Sequence, residues 1–188
     1  DLFTDCQTET YENVDINPSL PEDQQTQLRA LVYEFRDVFS DVPGRCNLGT
    51  HKVELTTGDP IHSRPYPLPH GIGTEVDKEL DMMLTLGIIE PSSSPYASPI
   101  VAVKKPDGKL RLCVDYRKIN QVTVFDAEPM VQTEDIFSKL SKDVLFSKFD
   151  LSKGYWQINM HEPDKEITAF ITHRGLHQFR TMPFGLVN

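Results

Sequence analysis

The chain has 188 residues, of which 38% are hydrophobic and 25% are charged, enough for the packed core of one ordinary domain. No apolar run approaches the ~20 residues that a membrane-spanning helix needs, and no secretory signal is recognisable. The three scattered cysteines form no zinc-binding pattern and fit a reducing compartment better than a disulfide scaffold. We therefore expect neither a membrane protein nor a secreted one.

The net charge of -9, read alone, argues against a protein that binds nucleic acid. The distribution of charge along the chain is uneven, however. Residues 1–50 hold 10 acidic and 3 basic residues, whereas residues 101–120 hold 6 basic and 2 acidic residues. Positive charge is thus concentrated in one stretch, and much of the acidic excess lies in the leading segment.

The first third of the chain indicates a linker, one helix and a short strand. Residues 1–19 are acidic and show little periodicity, as expected of a linker. A capping-box pattern at 19–22 precedes apolar residues at helical spacing, which predicts a helix over about 20–39. Weak alternation then predicts a short strand over 51–55.

An extended segment and a second helix follow. Four prolines between residues 58 and 70 exclude a helix there and favour extended chain. The second helix is predicted to begin near Thr74 and to end at Gly87, a residue type that suits the C-cap. Its apolar stripe consists of Val76, Leu80, Met83 and Leu84.

Hairpins dominate the rest of the chain, and helices followed by hairpins predict an α+β fold. Strands at 100–104 and 109–115 flank a Pro-Asp-Gly turn, and the second strand alternates between apolar residues and the side chains of Arg111, Cys113 and Asp115. We predict, in order, a short helix at 134–140, a strand at 144–150, and a hairpin with strands at 166–172 and 176–182.

Asp150 ends the predicted strand and precedes a turn that contains Ser152 and Gly154. A carboxylate in this position suits Mg²⁺ with bound phosphates, because its hard oxygen holds the metal while the turn amides hold the anion. The same pattern also fits an aspartate that only caps the following turn. The local sequence leaves both interpretations open.

The predicted hairpin at 103–111 carries four cations around its turn. Such cations suit a triphosphate or a nucleic-acid backbone, although a solvated basic hairpin has the same pattern. Asp115 and Arg117 follow, and we interpret them as an internal ion pair that orients the hairpin. Residues 182–188, by their own pattern, fit an apolar loop packed on the core.

Taken together, these stretches resemble the reverse transcriptase of gypsy-type long-terminal-repeat retrotransposons. The likeness covers roughly residues 25–188 and consists of five blocks that occur in the order typical of that family. The blocks are 87–101, which resembles the finger-region signature, 104–111, 115–120, 149–155 and 182–186.

The resemblance implies a right-hand polymerase of the α+β class, with the fingers and part of the palm. It divides the chain into an acidic connector after the protease, an N-terminal helix with its lead-in, the fingers, and a partial palm that stops before the family's Tyr-x-Asp-Asp turn. These parts correspond to residues 1–19, 20–57, 58–143 and 144–188.

The resemblance also assigns roles around the turn that begins at Asp150. Asp150 would be the first catalytic aspartate and a ligand of both Mg²⁺ ions of the complete enzyme. The backbone carbonyl of Leu151 would complete the shell of one ion. The backbone amides of Lys153 and Gly154 would meet the phosphates of the nucleotide.

Further roles fall on the basic hairpin and on two aromatic residues. Arg111 would contact the triphosphate together with Lys104 or Lys105, and the spacing does not decide between the two lysines. Tyr155 would lie under the sugar and exclude a 2′-hydroxyl by its bulk. Phe184 stands where retroviral enzymes carry a glutamine, so its contact with the nucleotide should be packing.

The resemblance implies an RNA-directed DNA polymerase, a nucleotidyltransferase, within a Pol polyprotein that also carries ribonuclease H and the integrase for DNA integration. Its partners would be an RNA template, a DNA primer, deoxynucleoside triphosphates and the rest of the polyprotein, in a cytoplasmic virus-like particle. Because one carboxylate cannot complete two octahedral Mg²⁺ shells, we expect this chain alone not to polymerise DNA.

A second interpretation is a non-catalytic protein derived from a retrotransposon, which binds nucleic acid or a protein partner through the basic hairpin. A Tyr-x-Asp-Asp turn in the reading frame after Asn188 would favour the enzyme, whereas an immediate stop codon would favour the non-catalytic protein.

Overall fold

The computed structural model describes residues 9–69, 71–104, 110–129, 131–140 and 145–188. The α-helices in these ranges are α1 (Glu22–Glu34), α2 (Gly73–Thr85), α3 (Arg117–Asn120) and α4 (Thr133–Leu140). The strands are β1 (Cys46–His51), β2 (Ile89–Pro91), β3 (Ser98–Lys104), β4 (Leu110–Val114), β5 (Ile158–Met160), β6 (Phe170–Thr172) and β7 (Gly175–Phe179). Short 3-10 helices span Tyr11–Asn13, Arg36–Val38, Gly154–Gln157 and Glu162–Thr168.

The first predicted helix is present as α1 followed by the 3-10 helix Arg36–Val38, but the predicted capping box at its start is wrong. The N-cap is Pro21, which has no side chain that can accept a hydrogen bond. The side chain of Asn17 instead accepts a hydrogen bond from the amide of Ser19 at 3.0 Å, which turns the chain before the helix. The helix therefore begins without a side-chain cap.

Helix α2 agrees with the prediction, and its apolar stripe is explained by the core. Val76, Leu80 and Met83 are buried against the sheet. The helix ends in a Schellman motif, in which the amide of Gly87 donates to Leu84 and the amide of Ile88 donates to Met83. Gly87 has a φ of 63°, a left-handed conformation that favours glycine.

The main sheet has five strands in the order β2-β7-β6-β3-β4. The pairs β2–β7, β6–β7 and β3–β4 are antiparallel, whereas β3 and β6 are parallel. A separate two-stranded parallel ladder joins β1 to β5, which follows the turn that contains Tyr155. The α+β class is confirmed, with parallel pairs in addition to the predicted hairpins.

Both predicted hairpins are present. Strands β3 and β4 form the first, and residues 105–109 of its turn lie outside the described residues. Leu110, Leu112 and Val114 pack against the core, as their alternation predicts. Strands β6 and β7 form the second hairpin, but residues 166–168 belong to a 3-10 helix, so its first strand is shorter than predicted.

Two strand predictions are wrong. The predicted strand at 51–55 lies earlier, as β1, because its parallel partner β5 sets the register, and Leu55 forms only an isolated bridge with Thr123. Residues 145–150 of the predicted strand at 144–150 are exposed coil. A strand needs a neighbour for its backbone groups, and no described residue pairs with this stretch.

Two buried clusters hold the described part of the chain together. The first lies between α2 and the sheet and contains Ile72, Val76, Leu80, Met83, Ile88, Ile89, Ile100, Trp156, Phe170 and Phe179. The second lies around α3 and contains Val53, Tyr96, Tyr116, Ile119, Met160, Ile167 and Ala169. None of the helices in the described ranges has the length and apolar character required to cross a bilayer.

Candidate active site

The turn after Asp150 has an unusual backbone that its residues explain. Lys153 has φ 48° and ψ 48°, a left-handed conformation that it alone adopts among the described non-glycine residues. The 3-10 helix Gly154–Gln157 starts immediately afterwards. A Cβ atom on Gly154 would lie 3.2 Å from the Cβ atom of Leu151, so the absence of a side chain lets the turn close tightly.

This tight turn places the ring of Tyr155 beside that of Phe184. The two ring centroids are 4.9 Å apart, within the range of favourable aromatic pairs. Tyr155 remains 50% exposed and Phe184 43% exposed, so a half-open aromatic surface faces solvent. Trp156, next in the chain, is buried, and the Nζ atom of Lys153 lies 4.6 Å from the centroid of its ring.

Asn120 of α3 and Tyr116, the residue before α3, hold the loop that carries Phe184. The side-chain Nδ2 of Asn120 donates to the carbonyl of Gly185 at 2.8 Å. The ring of Tyr116 packs under the same glycine, and its hydroxyl donates to the carbonyl of Thr168 at 2.8 Å. Complete burial raises the pKa of Tyr116 well above its usual value, so this hydroxyl stays protonated.

Asp150 is an exposed coil residue, with no hydrogen bond or ion pair to another residue in the described ranges. Together with Leu151 and Ser152 it lines one wall of a cavity of about 720 Å³. Residues 9–13 and 37–45 contribute most of the other wall, including the side chain of Arg45. Asp150 is therefore accessible to solvent and lies beside a cavity that polar and apolar residues line together.

One carboxylate cannot complete the octahedral shells of two Mg²⁺ ions. In the ranges that the structure covers, no group of three or more His, Cys, Asp and Glu side chains could hold a metal ion. Asp150 fits one oxygen ligand of Mg²⁺, and the carbonyl of exposed Leu151 follows it in the chain. The described residues do not complete the coordination shell.

The basic hairpin presents Arg111 on β4, opposite Val103 of β3. The Arg111 side chain is exposed and forms no hydrogen bond or ion pair with another described residue. The side chain of Lys104 and the whole of Lys105 lie outside the described residues. No hydrogen bond or ion pair thus joins Arg111 to the Tyr155 turn.

The predicted ion pair between Asp115 and Arg117 is confirmed. Arg117 donates from Nη2 to one carboxylate oxygen at 2.7 Å and from Nε to the other at 2.9 Å. The backbone amide of Arg117 and the hydroxyl of Tyr66 donate to the same carboxylate. These donors, Arg117 foremost, hold the pKa of Asp115 well below its usual value.

Comparison with known proteins identifies the family. Residues 103–188 match the family model for reverse transcriptase (RNA-dependent DNA polymerase). A retrovirus-related Pol polyprotein from transposon opus of Drosophila melanogaster is 35% identical over an alignment of 188 positions, which covers 94% of this chain and 19% of that protein. The corresponding polyprotein from transposon gypsy is 37% identical over an alignment of 145 positions, which covers 74% of this chain and 14% of that protein. The chain belongs to the reverse transcriptase family.

A solved structure shows that the fold of this reverse transcriptase segment is shared beyond transposons. The foamy viral protease-reverse transcriptase in complex with an RNA/DNA hybrid superposes with a TM-score of 0.76 at 22% identity. The match covers 90% of this chain and 23% of the viral one. The predicted family and fold are both confirmed, and the segment spans less than a fifth of the two Pol polyproteins.

Sequence patterns assign no role to two residues of the reverse transcriptase segment that shape this site. Arg45 donates a hydrogen bond to the carbonyl of Trp156, 111 positions later in the chain, and it belongs to none of the sequence blocks. Asn120 holds Gly185 from 65 residues away. Asn120 at least lies within a recognised block, 115–120, so its position marks it as a candidate, whereas Arg45 could be found only from the fold.

Proposed function

We propose that this chain forms the nucleotide-facing part of an RNA-directed DNA polymerase of a gypsy-type retrotransposon. The observation that carries the proposal is the contact between Tyr155, on the turn that follows Asp150, and Phe184, whose ring centroids are 4.9 Å apart. Family membership supports the proposed reaction, and the RNA/DNA hybrid in the foamy viral complex supports the proposed template and primer.

The exposed part of the Tyr155 ring is suited to the sugar of an incoming nucleotide. One side of the ring rests on Phe184, which limits its movement, and half of its surface remains free. A rigid ring at this place excludes a 2′-hydroxyl by contact and thereby selects deoxynucleotides. Phe184 then contributes packing to the same pocket.

Charged and backbone groups complete the proposed binding of the triphosphate. The amides of Lys153 and Gly154 would contact phosphate oxygens, since tight turns of this kind present N–H groups to anions. Arg111, together with Lys104 or Lys105, would add cations from the finger hairpin.

Asp150 is proposed as a ligand of Mg²⁺, with the carbonyl of Leu151. Such ions, when bound, polarise the attacking primer hydroxyl and stabilise the leaving pyrophosphate. The described residues supply one carboxylate for this purpose, and the resemblance to the family places the other carboxylates in a later part of the Pol polyprotein. We therefore assign to this chain substrate binding and one metal ligand, and no complete catalytic step.

The proposed organisation follows from the same assignment. Residues 58–143 form the fingers and 144–188 part of the palm, preceded by an N-terminal helix with its lead-in at 20–57 and a connector at 1–19. The polymerase would act with the other Pol domains in a cytoplasmic virus-like particle.

Primer extension on an RNA template with Mg²⁺ or Mn²⁺ tests the proposal. The Pol polypeptide that contains this chain should incorporate deoxynucleotides, and Asp150→Asn should reduce the rate by at least about 100-fold, since even a group that supports a metal ligand is worth 10- to 100-fold. Asp126→Asn is the matched control, because Asp126 is an exposed coil aspartate whose contact with the amide of Glu128 an asparagine retains.

The purified 188-residue chain should incorporate no nucleotide under the same conditions. Incorporation by this chain alone would contradict the argument that its ligands are incomplete. Undiminished synthesis by the Asp150→Asn polypeptide would refute the proposed role of Asp150.

A further inference from the structure

Arg45 joins three parts of the fold through one guanidinium group. Its Nη1 atom donates to the carbonyl of Trp156 at 3.0 Å. Its Nη2 atom donates to the carbonyls of Leu86 and Gly87 at 3.0 and 2.9 Å. The segment before β1 is thereby connected to the end of α2 and to the turn that carries Tyr155.

The three carbonyls are groups that helix ends leave without intrahelical partners. Leu86 and Gly87 follow the last turn of α2, and Trp156 lies in the last turn of the 3-10 helix Gly154–Gln157. A planar guanidinium can donate to both ends at once, and its positive charge suits the negative end of the α2 dipole. A lysine could reach only part of this set.

Arg45 has a second cation, Arg180, beside it. A Cβ atom on Gly87 would lie 3.4 Å from Nη2 of Arg45 and 3.5 Å from Nη1 of Arg180, so the two guanidinium groups flank this glycine. Arg180 is itself drawn towards Glu90, with its Nε atom 3.5 Å from the carboxylate. Arg45 and Arg180 repel each other, and the contact of Arg180 with Glu90 offsets part of this repulsion.

The consequence for the site follows from the chain order. Trp156 is adjacent to Tyr155, so a fixed carbonyl at Trp156 fixes the backbone from which the Tyr155 ring projects. Arg45 precedes the matched region 103–188 and also lines the cavity beside Asp150. We propose that Arg45 is a positioning residue for the Tyr155 ring, and that the segment before β1 belongs to the nucleotide site.

The role of Tyr155 in this inference rests on the proposed function, whereas the hold of Arg45 on the turn is independent of it. The experiment therefore has two arms. The variants are Arg45→Ala, Arg45→Lys as the conservative substitution, and Arg29→Ala as the control. The control removes an arginine of α1 that forms no hydrogen bond or ion pair with the Tyr155 turn, and circular dichroism checks that each variant folds.

The first arm uses the fluorescence of Trp156, the single tryptophan of the chain. In the purified chain, Arg45→Ala should shift its emission to longer wavelength and increase its quenching by acrylamide, because the turn loosens. Arg45→Lys should give a smaller change, and Arg29→Ala none. Emission and quenching unchanged in Arg45→Ala would overturn the inference.

The second arm measures the preference for deoxynucleotides over ribonucleotides in the Pol polypeptide. Arg45→Ala should lower this preference about fivefold, as expected from the loss of one net hydrogen bond to the turn, and should raise KM more than it lowers kcat. Arg45→Lys should restore part of the preference. A general loss of stability would not change the ratio between the two nucleotides, so an unchanged ratio would overturn the inference.

The two arms separate this inference from the function on which its second part rests. A polypeptide that synthesises no DNA even with Arg45 intact would refute the proposed function, and the fluorescence of Trp156 would still decide whether Arg45 holds the turn. If Arg45→Ala fails to fold, both measurements are made on Arg45→Lys instead. Trp156 fluorescence and a nucleotide preference that both equal those of the native protein would then overturn the inference.

Discussion

Replacing Asp115 with asparagine should lower the free energy of unfolding by about 2 kcal/mol at neutral pH. The carboxylate is 11% exposed and accepts hydrogen bonds from Arg117, from the backbone amide of that residue and from the hydroxyl of Tyr66. Arg117 is 80% exposed, so solvent screening limits the ion pair itself to about 1 kcal/mol. The two neutral donors, which lose a charged acceptor, contribute about another 1 kcal/mol.

The effect depends on pH with a definite sign. The pKa of Asp115 is lower in the folded chain than its usual value of 3.8, so the ionised carboxylate stabilises the fold fully above that value. This stabilisation is lost as the pH falls towards the pKa of the folded state. Between pH 5 and pH 3 the difference between the native chain and Asp115→Asn should shrink by about 1 kcal/mol.

Urea unfolding followed by circular dichroism and Trp156 fluorescence measures both quantities. With a slope of about 2 kcal/mol per molar urea, Asp115→Asn should lower the midpoint by about 1 M at pH 7. Asp37→Asn is the control, because the Asp37 side chain is 93% exposed and its pairing with Arg36 is 4.0 Å long. Surface substitutions scatter by about 0.5 kcal/mol, so a smaller difference in free energy of unfolding between the native chain and Asp115→Asn at pH 7 would refute the reasoning. An equal difference at pH 7 and pH 3 would also refute it.

Two further substitutions test the backbone and the core. Gly87→Ala should destabilise the chain by about 1 kcal/mol, because φ is positive at this position. The control Gly44→Ala should be neutral or slightly stabilising, because no atom lies within 4 Å of the new methyl group. Equal melting temperatures for the two variants would contradict this prediction. Tyr116→Phe should lower the free energy of unfolding by about 1 kcal/mol, because it removes the buried donor to the carbonyl of Thr168. Thermal unfolding measures this loss. A melting temperature equal to that of the native chain would contradict the assigned hydrogen bond.

Local signals in the sequence predict those parts of the fold that depend on neighbours in the chain. The β3–β4 hairpin, the stripe of α2 and its end at Gly87 all follow from periodicity and turn chemistry over a few residues. The ion pair of Asp115 with Arg117 is predictable for the same reason, because the partners are only two positions apart in the chain. Each of these features satisfies its own backbone or side-chain requirements locally.

Features that need a distant partner were missed or displaced. The predicted strand at 144–150 has suitable residues, but among the described residues it finds no neighbour to pair with. The strand predicted at 51–55 lies instead at Cys46–His51, because β5 sets its register more than 100 residues later. Periodicity indicates that a segment can form a strand, and only the tertiary fold decides where it does.

The candidate site divides in the same way. The family resemblance singles out Asp150, Tyr155 and Phe184 from the order of short blocks, and the structure adds that the two rings are in contact. Arg45 lies outside these blocks and Asn120 lies inside one without a predicted role, because a guanidinium or amide that donates to backbone carbonyls has no characteristic sequence pattern around it.

The parallel ladder between β1 and β5 has a consequence for how the chain assembles. The contacts that anchor this region, such as Arg45 to Trp156 and Val53 to Asp164, each connect residues 111 positions apart. Closing a loop of this length costs conformational entropy before the new contacts can offset it. Such long-range pairings therefore form slowly. The residues of β1 leave the ribosome long before those of β5 exist to receive them. Residues 37–45, directly before β1, supply part of the cavity wall beside Asp150, so we expect this wall to form late in folding.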